Sequence, residues 1–217
     1  MKKILIFLML SFLPLNVFGH PGEYAQPILR PIRFEYEPMI RQKRGEIESC
    51  DLLFRGAYLD SHSENFLIID GALSFNVAES GYPFYLLKVV LFNVVNSLNS
   101  SEDITLEPIK IDYVTISSDF ENSVIKPFDA MNSPENTNAI LAAFRGEEMM
   151  FGLFGTSSDW TFNLFVEGWD NDIIFEIPNF TLDPKRLLKV NDFFKCKSSL
   201  AKKEEAKLEA YLAAENK

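Results

Sequence analysis

The sequence predicts a mainly β protein, an antiparallel β-sandwich of Greek-key-like connectivity with a helical C-terminal segment. Three observations carry that expectation. Between residues 46 and 177 short apolar runs rich in Val, Ile, Phe and Tyr are separated by clusters of Gly, Asn, Asp, Ser and Pro. These runs follow one another without the long intervening helical patterns that a parallel α/β sheet needs. After Asp183-Pro184 the apolar spacing lengthens to that of a helix, with aspartate as the cap and proline at the first helical position.

Taken in chain order, residues 1–19 read as a secretory signal. Lys2 and Lys3 precede the apolar "ILIFLMLSFLPL", and Val17 and Gly19 fit the peptidase pocket before a cut after Gly19. The run from Ile4 to Leu13 is ten residues, too short to span a bilayer comfortably. Residues 20–45 carry Pro21, Pro27, Pro31 and Pro38, so they are expected as an extended arm over the domain or along a sheet edge. The basic "RQKRG" at its end reads as a solvated turn.

Residues 46–197 form the expected sandwich domain. "IESCDLLFRGAYL" is a strand, and "DSHSEN" breaks it. "FLIIDGALSFNV" predicts a hairpin turning at Asp70-Gly71, two residues that tolerate positive φ. "YPFYLLKVVLFNVV" is a strand and "NSLNSSED" a loop. "ITLEPIKIDYVTIS" alternates, changing phase near Pro108, which predicts a bulge or an edge strand. "SDFENSVIKPFDAMNSPENTN" reads mostly as loop, "AILAAFRG" as a two-turn helix closed by Gly146, and "EEMMFGLFG" as a strand. "WTFNLFVEGWDNDIIFEIP" predicts a second hairpin with a polar tip. The helix after Pro184 places Leu187, Val190 and Phe194 on one face and carries Cys196. Residues 198–217 form a charged helical tail whose thin stripe (Leu200, Leu208, Tyr211, Leu212) favours projection over packing.

Totals narrow the function. The chain carries a net charge of −10, and loss of a leader holding two lysines and no acid moves this to −12. Such acidity argues against nucleic acid and anionic membranes, which call for clustered Lys and Arg. Cys50 and Cys196 are the two cysteines, and in an oxidising compartment they have one intramolecular pairing.

Candidates for chemistry are sparse. Cleavage after Gly19 would leave His20 first, offering its α-amine and ring, with His62 in "LDSHSENF" as the second imidazole. This arrangement resembles the histidine brace of lytic polysaccharide monooxygenases and some periplasmic copper carriers. The resemblance covers two residues and a cleavage site, and implies copper held by His20 and His62. Ser61 and Ser63 flank His62 without a G-x-S-x-G elbow. "DND" at Asp170 to Asp172 lacks the rest of a calcium loop. Trp169 in the polar "GWDND" tip is expected to be partly exposed, which makes Trp169, Asp170 and Asp172 candidates for partner or ligand contact. The function expected is therefore an exported, periplasmic or secreted, non-catalytic binding or assembly module without a cofactor. Its partner would be another exported or envelope protein. A copper protein built on His20 and His62, and a fimbria-like subunit with an unfilled groove, are the alternatives.

Overall fold

The computed structural model describes residues 28–60, 65–78, 81–96, 104–118, 124–149, 159–168 and 172–215. Two sheets face one another. The larger runs in the order β2 (Pro31–Lys43), β3 (Glu46–Asp60), β4 (Asn65–Val77), β5 (Pro83–Asn96), β10 (Ile140–Arg145) and β9 (Asp129–Asn132), with β6 (Ile104–Ile109) also paired to β5. The smaller runs β1 (Ile28–Leu29), β12 (Ile173–Ile177), β11 (Trp160–Val166), β7 (Ile111–Ser118) and β8 (Val124–Ile125). Pairing is antiparallel throughout except between β1 and β12. A four-residue helix, α1 (Gly146–Met149), follows β10, and α2 (Pro184–Glu215) closes the chain. The expected mainly antiparallel sandwich with a C-terminal helix is what forms.

The described part of the proline-rich segment lies along a sheet edge, where Pro31 and Pro38 sit in β2 as the outermost strand, while Pro21 and Pro27 lie outside the described residues. A proline removes one ladder donor, which an edge strand tolerates on its open side. Strand β2 turns into β3 at Arg44-Gly45, both with positive φ (55° and 81°), so the hairpin β2–β3 crosses the boundary drawn at residue 45. Of the basic "RQKRG", Arg41, Gln42 and Lys43 end β2, and only Arg44-Gly45 make the tight turn.

The hairpin expected at Asp70-Gly71 does not exist. Both residues lie inside β4, a strand of 13 residues paired along its length with β3 and β5. Asp70 is there because it stands opposite Arg55 and pairs with it. Gly71 is there because a Cβ at that position would meet the Phe54 ring and the Lys88 carbonyl oxygen, both at 2.5 Å. "AILAAFRG" is likewise a strand, not a helix. Ile140, Ala142 and Phe144 are buried at period two, and pairing with β5 and β9 overrides the helix propensity of its alanines. The first residues of "EEMMFGLFG" belong to α1 instead of a strand, and residues 150–158 lie outside the description. The segment read mostly as loop contributes the short strands β8 and β9.

Around Pro108 the phase change marks a switch between sheets. Strand β6 lies at an edge, paired to β5 alone, and after Lys110 the chain enters β7 in the opposite sheet. The second hairpin forms as expected from β11 and β12.

Between the sheets the core is aromatic. Phe54 meets Phe162 edge-on at 5.7 Å, and Tyr58 meets Phe175 at 4.8 Å. Two hydroxyls fasten the layers, since Tyr36 Oη donates to Pro178 O at 2.6 Å and Tyr58 Oη donates to Glu176 O at 3.0 Å. Trp160 is buried among these rings and packs on Phe180. Helix α2 covers the part of the larger sheet that the smaller one leaves open. Asp183 starts it by accepting the Lys185 N–H on Oδ1 and the Leu187 N–H on its carbonyl, each at 2.8 Å. Val190, Phe193, Cys196 and Leu200 form its buried face, while Leu187 is exposed and Phe194 half-buried. The helix runs unbroken past residue 197, and Lys203 still reaches Glu46 at 2.6 Å. Beyond that, Lys207, Glu209 and Tyr211 are exposed.

Candidate functional site

A pleated strand divides its residues between two faces, and register decides which residues share a row. Cys50, Leu52, Phe54 and Tyr58 of β3 point to the inner face, with Leu73, Phe75, Tyr85 and Leu87 beside them. The alternate residues make the outer face. There, Leu59 pairs with Phe66, Phe66 with Val94, and Val94 with Leu106, a single row across β3, β4, β5 and β6. The neighbouring row is Ala57, Ile68, Phe92 and Pro108. All eight positions are apolar, and Leu59, Phe66 and Leu106 are 42%, 42% and 45% exposed. Helix α2 and the smaller sheet both pack from the inner side, through Cys196 to Cys50 and Phe162 to Phe54.

Toward the other end of the same face the rows become polar. Arg55 and Asp70 pair across β3 and β4. Further on, Asp51 stands opposite Ser74, and Lys88 opposite Ala72. Here β2, β3, β4, β5 and the turn at residues 133–135 enclose a cleft of about 600 Å³. Asp51 lines it with a carboxylate only 1% exposed, and Arg41 Nε lies 2.7 Å from its Oδ2. That contact is an ion pair without an aligned hydrogen bond, so neither carboxylate oxygen receives one. On the opposite wall Lys88 Nζ is 3.3 Å from Glu135 Oε2.

A second cleft, of about 450 Å³, opens at the edge of the sandwich beside Tyr82, Phe84, Phe128 and Arg145. Tyr82 and Phe128 are both exposed. Lys197 makes a third unusual group. Its ammonium lies 5.7–5.9 Å from the ring centres of Phe75, Tyr85 and Phe194 and donates to Tyr85 Oη at 3.2 Å. Burial holds the Lys197 amine below its ordinary value. The box is filled by the protein's own lysine, so it fixes α2 on the sheet.

Of the residues singled out from sequence, Cys50 and Cys196 are joined, with Cα atoms 5.8 Å apart. His20, His62, Trp169 and Asp170 lie outside the described residues. Asp172 is half-buried just before β12, and desolvation raises its carboxyl above the usual range. Among the described residues no three His, Cys, Asp or Glu side chains come together as a metal site, and no helix is long and apolar enough to cross a membrane. A cavity of about 10 Å³ lies between the sheets beside Tyr36 and Trp160.

Sequence reasoning missed both ends of the outer face. A signal was present. "NFLII" and "VVLFNVV" are apolar in both phases, and in an antiparallel sheet that means grease on the outer face as well as the inner. No protein-family model, curated protein or solved structure matches this chain.

Proposed function

We propose that this protein is an exported, non-catalytic binding module that presents the outer face of its seven-stranded sheet to another exported or envelope protein. One observation carries the reading: the two adjacent apolar rows that cross four strands with three exposed large side chains at their rim. Contiguous apolar surface of that kind marks interaction sites on soluble domains. Each of these side chains is already more than half covered, so withdrawing the rest from water contributes roughly 1 kcal/mol to association. The disulfide suits an oxidising compartment, and the leader of residues 1–19 suits export to the periplasm or beyond.

The test has two arms. Intact mass of the exported protein should match a chain beginning at His20 with both thiols oxidised; a mass for residues 1–217 defeats the export reading. A photo-reactive amino acid at Phe66 should give a discrete protein adduct in the cells that make the protein. The same probe at Asp112, exposed on the smaller sheet, should not. Identical adducts at both positions, or none at Phe66, defeat the binding reading.

A further inference from the structure

At the other end of β5 from the apolar rows lies the cleft of about 450 Å³, which the binding reading does not use. Three aromatic residues line it, Tyr82, Phe84 and Phe128, the first 75% and the last 56% exposed. Backbone pairing presents them. Ala78 donates its N–H to Tyr82 O at 3.0 Å, Phe84 stands opposite Arg145 in the β5–β10 ladder, and Phe128 donates its N–H to Ala143 O at 2.9 Å. A single exposed ring is ordinary on a surface, but several around one concavity mark a site. We propose that this cleft binds a carbohydrate, a short β-1,4-linked chain of neutral pyranoses with equatorial hydroxyls.

Two kinds of group in the lining select that class. A pyranose with equatorial hydroxyls shows bare C–H bonds on both faces, and their slightly positive hydrogens sit well over the negative face of an aromatic ring. Tyr82 and Phe128 supply such rings, and a β-1,4 linkage keeps successive units in one flat ribbon that can reach both. The hydroxyls leave from the rim of the sugar, and each can donate and accept. Arg145 only donates and Glu147 only accepts, so together they can hold adjacent hydroxyls. Their charges cancel, which favours a neutral ligand over a phosphate or a polyamine. Arg145 lies 3.9 Å from Glu148, a loose pair between exposed groups that holds little, so its donors can turn to a ligand. A volume of about 450 Å³ is in the range of small-molecule sites and suits a short oligosaccharide.

Cellotriose, a β-1,4-linked glucose trimer, is the probe. Titrated into the uniformly ¹⁵N-labelled full chain, it should shift the amides of Tyr82, Phe84 and Arg145 saturably. Tyr82→Ala should weaken binding at least fivefold, while Tyr82→Phe, which keeps the ring, should stay within twofold of the unchanged protein. Tyr82 is so exposed that neither change threatens the fold. Arg145→Met, which keeps the length and removes the donors, should weaken binding at least threefold. Leu188→Ala, exposed on α2 outside the cleft, should leave it unchanged. The proposal is overturned by unsaturable shifts, by shifts mapping to another surface, by equal affinity in Tyr82→Ala or Arg145→Met, or by a matching loss in Tyr82→Phe or Leu188→Ala. It is overturned equally by L-phenylalanine binding as tightly as the sugar, which would assign the two charges to a zwitterion. None of these results bears on the adducts at Phe66, so the two readings fail separately.

Discussion

The two faces of the seven-stranded sheet are built from the same strands and differ in what they face. On the inner face Phe54, Tyr58, Leu73 and Tyr85 meet a second sheet or α2, and little of them is exposed. On the outer face Leu59, Phe66 and Leu106 of the same strands and β6 stand in solvent. One-residue alternation therefore separates what holds the fold together from what the fold can offer to others. The consequence is asymmetric: changes inside should cost stability, and changes outside should cost recognition.

The largest effect expected is on the inner side, at the bond holding α2 down. Cys50 and Cys196 close a loop of 146 residues, and in the chain-entropy model that constraint is worth about 5 kcal/mol. Cys196→Ser should lower the unfolding free energy by a large part of that in a urea titration, with the helix still anchored through Val190, Phe193 and Leu200. A loss below about 1 kcal/mol would mean that packing alone seats the helix, and that the inner face is less dependent on α2 than the structure implies.

Next comes Gly71. Its Cβ would meet a backbone oxygen, Lys88 O at 2.5 Å, and a ring held between two sheets. Neither yields easily, so Gly71→Val should cost roughly 3 kcal/mol. Alanine at the outer neighbour Asp70, which loses only a half-exposed pair with Arg55, should cost under about 1 kcal/mol. If the two substitutions prove equal in a urea titration, face is not what decides cost in β4.

That glycine also shows where the sequence was legible and where it was not. The strand content, the second hairpin, the start of α2 at Asp183 and the pairing of the cysteines were readable because each rests on local pattern or on elimination. Asp70-Gly71 was misread because its two residues answer to partners on other strands. Arg55 and Phe54 lie more than ten residues away, and no short-range pattern records them. "AILAAFRG" failed for the same reason, since β5 and β9 supply the ladder that turns alanines into a strand. The outer rows needed the full register before they could be seen. Asp51 looked like any charged residue until its burial was known.

A milder contrast concerns the inner tyrosines. Burial raises the phenols of Tyr36, Tyr58 and Tyr85 well above their ordinary value near 10. Because each folded value exceeds the unfolded one, the stability they confer is complete below pH 10 and is lost as pH rises beyond it. Absorbance at 295 nm should therefore show these three rings ionising together with alkaline unfolding, in a single step. Tyr58→Phe, which removes the hydroxyl donated to Glu176 O, should cost about 1 kcal/mol at pH 7 and remove one ring from that step. Gradual ionisation without loss of β-sheet signal would show that the inner face admits water.

The smallest effect on stability is expected at the outer rows, and it is the most informative. Phe66 stands 42% exposed between Leu59 and Val94. Phe66→Ser gives up part of a cross-strand contact, worth a few tenths to about 1 kcal/mol, so the midpoint of unfolding should move little. Partner capture by a photo-reactive probe at the neighbouring Leu106 should nevertheless fall at least fivefold, because the same ring would lie at the centre of the contact. Leu73→Ala, on the inner side of the same strand, should do the reverse. It should cost about 2–5 kcal/mol and leave capture intact below its unfolding temperature. If Phe66→Ser destabilises as much as Leu73→Ala, the outer rows are a second core whose cover lies elsewhere in the chain. In that case recognition must be sought at another surface.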